Sequence, residues 1–234
     1  MIRSSAATHP GAVRPRNEDA MVDRPDAGLW AVADGAGGHG AGDVASRAIA
    51  TALEAIPPGL SAAELLAQVR LRLAAVHTEL QEEAARRGPG RLIASTVVVM
   101  LTRGGHFAVL WAGDSRGYVL REGALQRLTH DHSLVQEMVD QGEIAAEEAE
   151  SHPQANVITR AIGAHGELVL DKISGRVAPG DRFLLCSDGL FKAITEEEIA
   201  AMLAELPAAE PVIATAVARG ARDNVTAVVV WEEG

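Results

Sequence analysis

The sequence predicts an α+β fold: two antiparallel β-sheets packed face to face with helix pairs outside them, a four-layer αββα sandwich with a flap insertion. Three observations predict it. Strand-like apolar runs come in succession, "STVVVMLT" at 95–102, "HFAVLWA" at 106–112 and "GYVLRE" at 117–122. Helical periods come in pairs, one pair between 44 and 80 and another near 195–219, where an alternating βαβ sheet would space them singly. Apolar residues make up 47% of the 234, enough for the core of a single domain spanning 1–234.

The elements follow in order. "LWAVA" at 29–33 is a short apolar run ending in Asp-Gly, which reads as a buried strand and a turn. Val44, Ala45, Ile49, Ala52, Leu53 and Ile56 recur at helical spacing until "PPG" at 57–59 stops them. A second helix carries Leu66, Val69, Leu73, Val76 and Leu80 and ends before Gly88-Pro89-Gly90. The three strand runs, the first two joined through Arg103-Gly104-Gly105, predict an antiparallel meander. Residues 129–165 are more polar and predict a helical or irregular insertion over the sheet edge. "DRFLLCS" at 181–187 and "VTAVVVW" at 225–231 bracket two short helices, near 195–204 and 208–219, and the last strand closes the fold.

Composition excludes several classes. The formal charge is −11, and no basic stripe with interleaved aromatics occurs, so nucleic acid is not an expected partner. No apolar run approaches the roughly 20 residues of a membrane span. The first twenty residues lack the apolar stretch and cleavage site of a signal peptide, which predicts a cytoplasmic protein. The lone cysteine, Cys186, cannot form an internal disulfide and fits a reducing compartment.

Gly35, Gly37 and Gly40 satisfy the G-x-G-x-x-G pattern of dinucleotide-binding folds. The context does not. The second strand that should follow the helix is replaced by "EAIPPGLSAAELL", and Asp34, directly before the first glycine, would repel a pyrophosphate. An NAD(P)-dependent oxidoreductase is therefore a disfavoured alternative.

Four aspartates stand at strand ends: Asp34 after "LWAVA", Asp114 after "HFAVLWAG", Asp188 after "RFLLCS" and Asp223 before "VTAVVVW". Each alone is ordinary turn chemistry. If the last strand runs antiparallel to the others, all four can meet at one edge, where clustered carboxylates require a cation. Oxygen donors without His or Cys partners suit Mg2+ or Mn2+. The Gly35 carbonyl could approach such an ion closely. Two ions about 3.5–4 Å apart can share a bridging hydroxide that attacks a phosphoryl group in line, with Asp34 the natural bridging carboxylate. Upstream, Arg14 could grip two phosphate oxygens, and Glu18, beside Asp19, could hold a metal-bound water.

These residues sit in eight ordered motifs, "GAVRPRNEDA", "VADGAGGHGAGDVAS", "STVVV", "WAGDSRGYVLR", "LTHDHS", "NVITRAIG", "CSDGL" and "RDNVT". Together they resemble the metal-dependent serine/threonine protein phosphatases of the 2C type, in their single-domain bacterial form, from about Thr8 to Trp231. The resemblance implies hydrolysis of phosphoserine and phosphothreonine by direct attack of a hydroxide bridging two Mn2+ or Mg2+ ions, without a phosphoenzyme. It makes Asp34 the bridging ligand, with Gly35 through its carbonyl, Asp188 and Asp223 completing the sites and Glu18 acting through water. Asp114, with Asp188, would hold a third, weaker ion. Arg14 would bind the substrate phosphate, and residues 130–163 would form a flap that selects protein substrates.

One position departs from the pattern. Bacterial relatives usually carry Met where this chain has Ala36, and animal ones carry a His proposed as the acid for the leaving alkoxide. His39, close in sequence, is the candidate substitute for that acid, with metal-bound water as the alternative. Cys186 reads as core, since a cysteine phosphatase would need Arg where Lys192 stands, and His130 and His132 read as organisers of the flap base. Trp30, Trp111 and Trp231 read as strand packing.

The wording "LWAVADGAGGH", "GDVASR" and "LTHDHSLVQEMVDQG" is similar to stand-alone phosphatases encoded with type VI secretion systems. That likeness implies a Ser/Thr kinase to oppose, one that modifies a forkhead-associated protein; a monomer is expected. The rival reading is a catalytically weak phosphoprotein-binding pseudophosphatase, against which stands the retention of Glu18, Asp34, Asp114, Asp188 and Asp223.

Overall fold

A computed structural model describes residues 2–36 and 41–232. The five-stranded sheet runs β1 (Ile2–His9), β11 (Val225–Glu232), β10 (Arg182–Cys186), β7 (Arg116–Arg121), β8 (Ala124–Arg127). The six-stranded sheet runs β2 (Asp19–Arg24), β3 (Leu29–Ala36), β5 (Val97–Arg103), β6 (His106–Ala112), β9 (Asp171–Arg176), with β4 (Ala94–Ser95) paired to the end of β3. All these pairings are antiparallel.

Three layers of apolar contact hold the sandwich together. Between the sheets, Trp30, Val98, Met100 and Val109 of one meet Val119, Phe183, Leu185 and Val228 of the other. The rings of Phe107 and Phe183 pack 4.9 Å apart. Outside the six-stranded sheet lie α1 (Gly42–Glu54) and α2 (Ala62–Arg87), burying Ile49, Leu53, Val69 and Leu73. Outside the five-stranded sheet lie α5 (Glu196–Glu205) and α6 (Ala209–Ala218), burying Ile199, Leu203, Val212 and Ile213. This is the expected α+β sandwich, driven by apolar stripes that each element can bury only against a neighbour. Helix α2 starts at a capping box, in which Ser61 accepts from the Glu64 amide while Glu64 returns to the Ser61 amide.

Two expectations need correction. The meander does not form. β5 and β6 pair, but β7 crosses to the five-stranded sheet, because at Gly113 (φ 112) the chain turns a corner that lies against Thr96, where an added Cβ would come within 2.6 Å. Period-two patterning marks a strand but not its sheet. The run "STVVVMLT" is also divided at Thr96, whose amide bonds the Asp34 carbonyl at 2.9 Å. In α2 the buried stripe begins at Leu65, with Leu66 only half-buried.

The polar insertion contains α3 (Leu134–Asp140) and a 3-10 turn at Ala146–Glu148. It is tied to β4 by the reciprocal pair Ser95–Ile162, at 3.0 and 2.9 Å. His132 stands at its base, accepting from the Gly113 amide at 3.2 Å and pairing with Asp171 at 3.1 Å, and His130 pairs with Asp140 at 2.7 Å. Among the described residues no helix is long and apolar enough to cross a membrane.

Candidate active site

The ends of β3, β6 and β10 and the start of β11 open onto one cleft of about 640 Å3. Glu18, Asp34, Gly35, Asp114, Asp188 and Asp223 all line it, together with Arg14. The antiparallel run of β10 and β11 brings Asp188 and Asp223 to the same edge, while β3 delivers Asp34 from the opposite sheet. His39 lies outside the described residues.

The backbone around Asp34 is fixed from several sides. Its amide donates to Thr96 Oγ1 at 3.1 Å, and its carbonyl accepts from Ser95 Oγ at 2.8 Å. The next residue approaches α1 without room for a side chain: a Cβ on Gly35 would lie 2.3 Å from the Gly42 carbonyl oxygen, and one on Gly42 2.5 Å from that of Gly35. Glu18 is held by its neighbours' polar groups. Its carbonyl accepts from the Gly35 amide at 3.2 Å and Ser46 Oγ at 2.6 Å, and its amide donates to Asn224 Oδ1 at 2.8 Å. Asn224 Nδ2 in turn donates to the carbonyls of Pro10 and Arg16, both at 2.9 Å, stitching the loop that carries Arg14 and Glu18 to the start of β11.

Two carboxylates are paired with cations of the chain. Arg14 Nη2 lies 2.7 Å from Asp223 Oδ2, and Lys192 Nζ lies 2.5 Å from Asp188 Oδ2. The remaining negative charge is poorly compensated. Burial, then the charges of Asp19, Asp188, Asp114 and Asp223, hold the Asp34 carboxyl well above its usual range. Burial, then Asp188, pushes Asp114 up to about 7. Glu18 is raised by burial and by Asp43.

Among the described residues Asp188 Oδ1 is buried with no hydrogen-bond partner, and so is Asp19 Oδ1. Orphaned carboxylate oxygens beside carboxyls that resist ionisation fit a divalent, oxygen-seeking cation. Among the described residues no three His, Cys, Asp or Glu side chains are gathered closely enough to hold an ion as they stand. Ion binding would have to draw the carboxylates inward and compete with Arg14.

Sequence reasoning gave Asp19 no role. It faces Asp34 across the β2–β3 pair, and its Oδ2 accepts from Ser187 Oγ at 2.8 Å and Thr226 Oγ1 at 2.6 Å. Burial pushes it up to about 7 against those two bonds. The available signal was its position beside Glu18, with the hydroxyls of "CSDGL" and "RDNVT" each one or a few residues from a named aspartate. Cys186 is buried in β10, and burial raises its thiol far from reactivity, as its core reading requires.

Comparison with known proteins gives a consistent picture. The family model for protein phosphatase 2C matches residues 13–227. The serine/threonine protein phosphatase PstP of Mycobacterium tuberculosis is 39% identical over 237 residues, covering 98% of this chain, which spans 45% of the length of that relative. A solved structure of PppA, described as a key regulatory component of T6SS in Pseudomonas aeruginosa, superposes with a TM-score of 0.90 at 43% identity, covering 98% of this chain and 97% of that one. The catalytic domain of PstP, solved in complex with two manganese ions, superposes with a TM-score of 0.82 at 37% identity over 98% of this chain and 97% of that one.

Proposed function

The chain belongs to the protein phosphatase 2C family, and from that premise we propose that it is a protein serine/threonine phosphatase dependent on Mn2+ or Mg2+. The observation that carries the reading is one cleft shared by Glu18, Asp34, Asp114, Asp188 and Asp223, with buried carboxylate charge that no cation among the described residues fully compensates. Asp34, the Gly35 carbonyl, Asp188 and Asp223 would hold two ions, as the two manganese ions of the PstP catalytic domain suggest, and Glu18 would act through water. When bound, two such ions supply the positive charge and water activation that in-line attack on a phosphoryl group needs.

The chain's own residues do the rest. Arg14 stands at the mouth with its side chain half exposed and offers an incoming phosphate its remaining donors beside the Asp223 contact. Ser187 and Thr226 hold Asp19 oriented behind Asp34. Asn224 keeps the Arg14–Glu18 loop in register with Asp223. The proton for the leaving alkoxide is assigned to His39, on its nearness to Asp34 in sequence.

We read residues 1–234 as one catalytic domain and 130–163 as its substrate-selecting flap. The likeness to PppA, described as a regulatory component of T6SS, supports a role in secretion control; within it, on the sequence motifs, we place a Ser/Thr kinase to be opposed and a forkhead-associated protein among the substrates.

The test is hydrolysis of a phosphothreonine peptide with Mn2+, with EDTA, and by Asp34→Asn. Turnover that requires metal and falls at least about 100-fold in the variant is expected, since ligand loss should exceed the 10–100-fold cost of disturbing a ligand's support. Ion binding without turnover would favour the phosphoprotein-binding reading instead.

A further inference from the structure

Lys192 follows directly after α4 (Asp188–Phe191), one helical turn beyond Asp188. Its ammonium lies 2.5 Å from Asp188 Oδ2 and donates to Asn156 Oδ1 at 2.8 Å. The adjacent Phe191 is buried under the Arg116 guanidinium at 3.6 Å, so the turn that presents Lys192 is packed in place. Lys192 and Asp114 line the same cavity, next to the main cleft. The two oxygens of Asp188 thus have different surroundings. Oδ2 rests on the ammonium, and Oδ1 is buried without a partner among the described residues.

Two carboxylates brought together at low exposure need a positive charge between or beside them. At the Asp114–Asp188 end of the cleft the chain supplies one itself. We propose that Lys192 is the resident cation of this end, so that its ammonium takes the place of any divalent ion at Asp114 and Asp188 and limits the protein to two ions. The proposal rests on the two-ion reading above. It assigns Lys192 as a positioning residue: it pins Asp188 so that Oδ1 is left for the two-ion cleft, and through Asn156 it fastens the 130–163 segment to the same carboxylate. A divalent ion entering here would have to displace an ammonium with two hydrogen-bond partners and strand it in a partly buried place, which is costly.

The experiment counts bound Mn2+ per chain, from the electron paramagnetic resonance signal of the free ion, for the wild type, Lys192→Gln, Lys192→Arg and the double variant Asp114→Asn/Lys192→Gln. Melting in EDTA verifies folding. Lys192 is 32% exposed, so its removal leaves no closed void. Two ions for the wild type and Lys192→Arg, three for Lys192→Gln, and two again for the double variant are expected. Equal non-zero counts for wild type and Lys192→Gln, or fewer in the variant, would overturn the proposal. If Lys192→Gln fails to fold, Asn156→Ala on the exposed flap side serves instead: a further ion should enter at lower Mn2+ than in the wild type, and an unchanged isotherm would overturn the proposal. No bound ion in any of the proteins would overturn the two-ion reading itself.

Discussion

Arg14 joins the loop of residues 10–18 to the reactive cleft through its contact with Asp223, and that one guanidinium has both a structural partner and free donors. Charge-assisted hydrogen bonds contribute about 1.5–3 kcal/mol each, so Arg14→Ala should lower kcat/KM on a phosphopeptide roughly 10- to 150-fold. Arg14→Lys should recover little, because an ammonium cannot grip two oxygens in one plane. Initial rates on one peptide across the three proteins test this; parity between Arg14→Ala and wild type would remove Arg14 from phosphate binding. The site was partly legible at this scale. Asp34, Asp114, Asp188 and Asp223 could be found because each follows or precedes an apolar run, so strand ends alone locate them. Asp19 could not, since its place behind Asp34 comes from the β2–β3 register, and its partners Ser187 and Thr226 lie 168 and 207 residues away. Lys192 was hidden for a related reason: its bond to Asp188 is local, but its bond to Asn156 spans 36 residues.

The junction of β3 and α1 shows the same division among elements. The sequence reading put a turn at Asp34-Gly35, but β3 runs on to Ala36 and pairs with β4, and Gly35 was read as giving its carbonyl access to an ion. The structure adds a second demand, because Gly35 and Gly42 touch backbone to backbone. Gly35→Ala should therefore cost stability even without metal, by about 1–3 kcal/mol as an overpacked substitution, and should weaken Mn2+ binding as well. Melting in EDTA and Mn2+ titration of the same variant separate the two effects; an unchanged melting temperature would contradict the close approach. Elements with strong periodicity, such as α2 and β6, stand where the pattern put them. The polar strand "IRSSAATH" of β1 and the mostly exposed β9 carry no clear alternation, because both are edge strands. The sheet switch at Gly113 left no periodic trace at all, since β6 and β7 are both apolar on the face they bury between the sheets.

For the molecule as a whole, the buried carboxyls link pH, metal and stability. Asp19 and Asp114, each pushed up to about 7, keep protons that the unfolded chain releases near pH 4. Raised folded-state values mean that the native state binds more protons between those limits, so their contribution is full below about pH 4 and is lost as pH rises through 7. The buried His132, held below its usual range by burial, works in the opposite direction, gaining stability as pH rises through the unfolded histidine value. The expected outcome is that in EDTA, Asp114→Asn melts with a flatter decline from pH 5 to 8 than the wild type, and that Mn2+, held in the two-ion cleft and not at Asp114, leaves that difference in place. Melting curves at four pH values with and without Mn2+ measure it; identical slopes would show that Asp114 ionises normally. The two sheets contribute different parts of the cleft, with Asp34 on one and Asp188 and Asp223 on the other, and the apolar interlayer around Phe107 and Phe183, together with the Asp19 bonds to Ser187 and Thr226, sets their spacing. The interlayer therefore acts as a gauge block: a slip of about 1 Å between the sheets, harmless to either one, would misalign groups whose chemistry can lose about 100-fold from such an error. Alignment of the reactive groups is thus inherited from side chains that touch neither ion nor substrate.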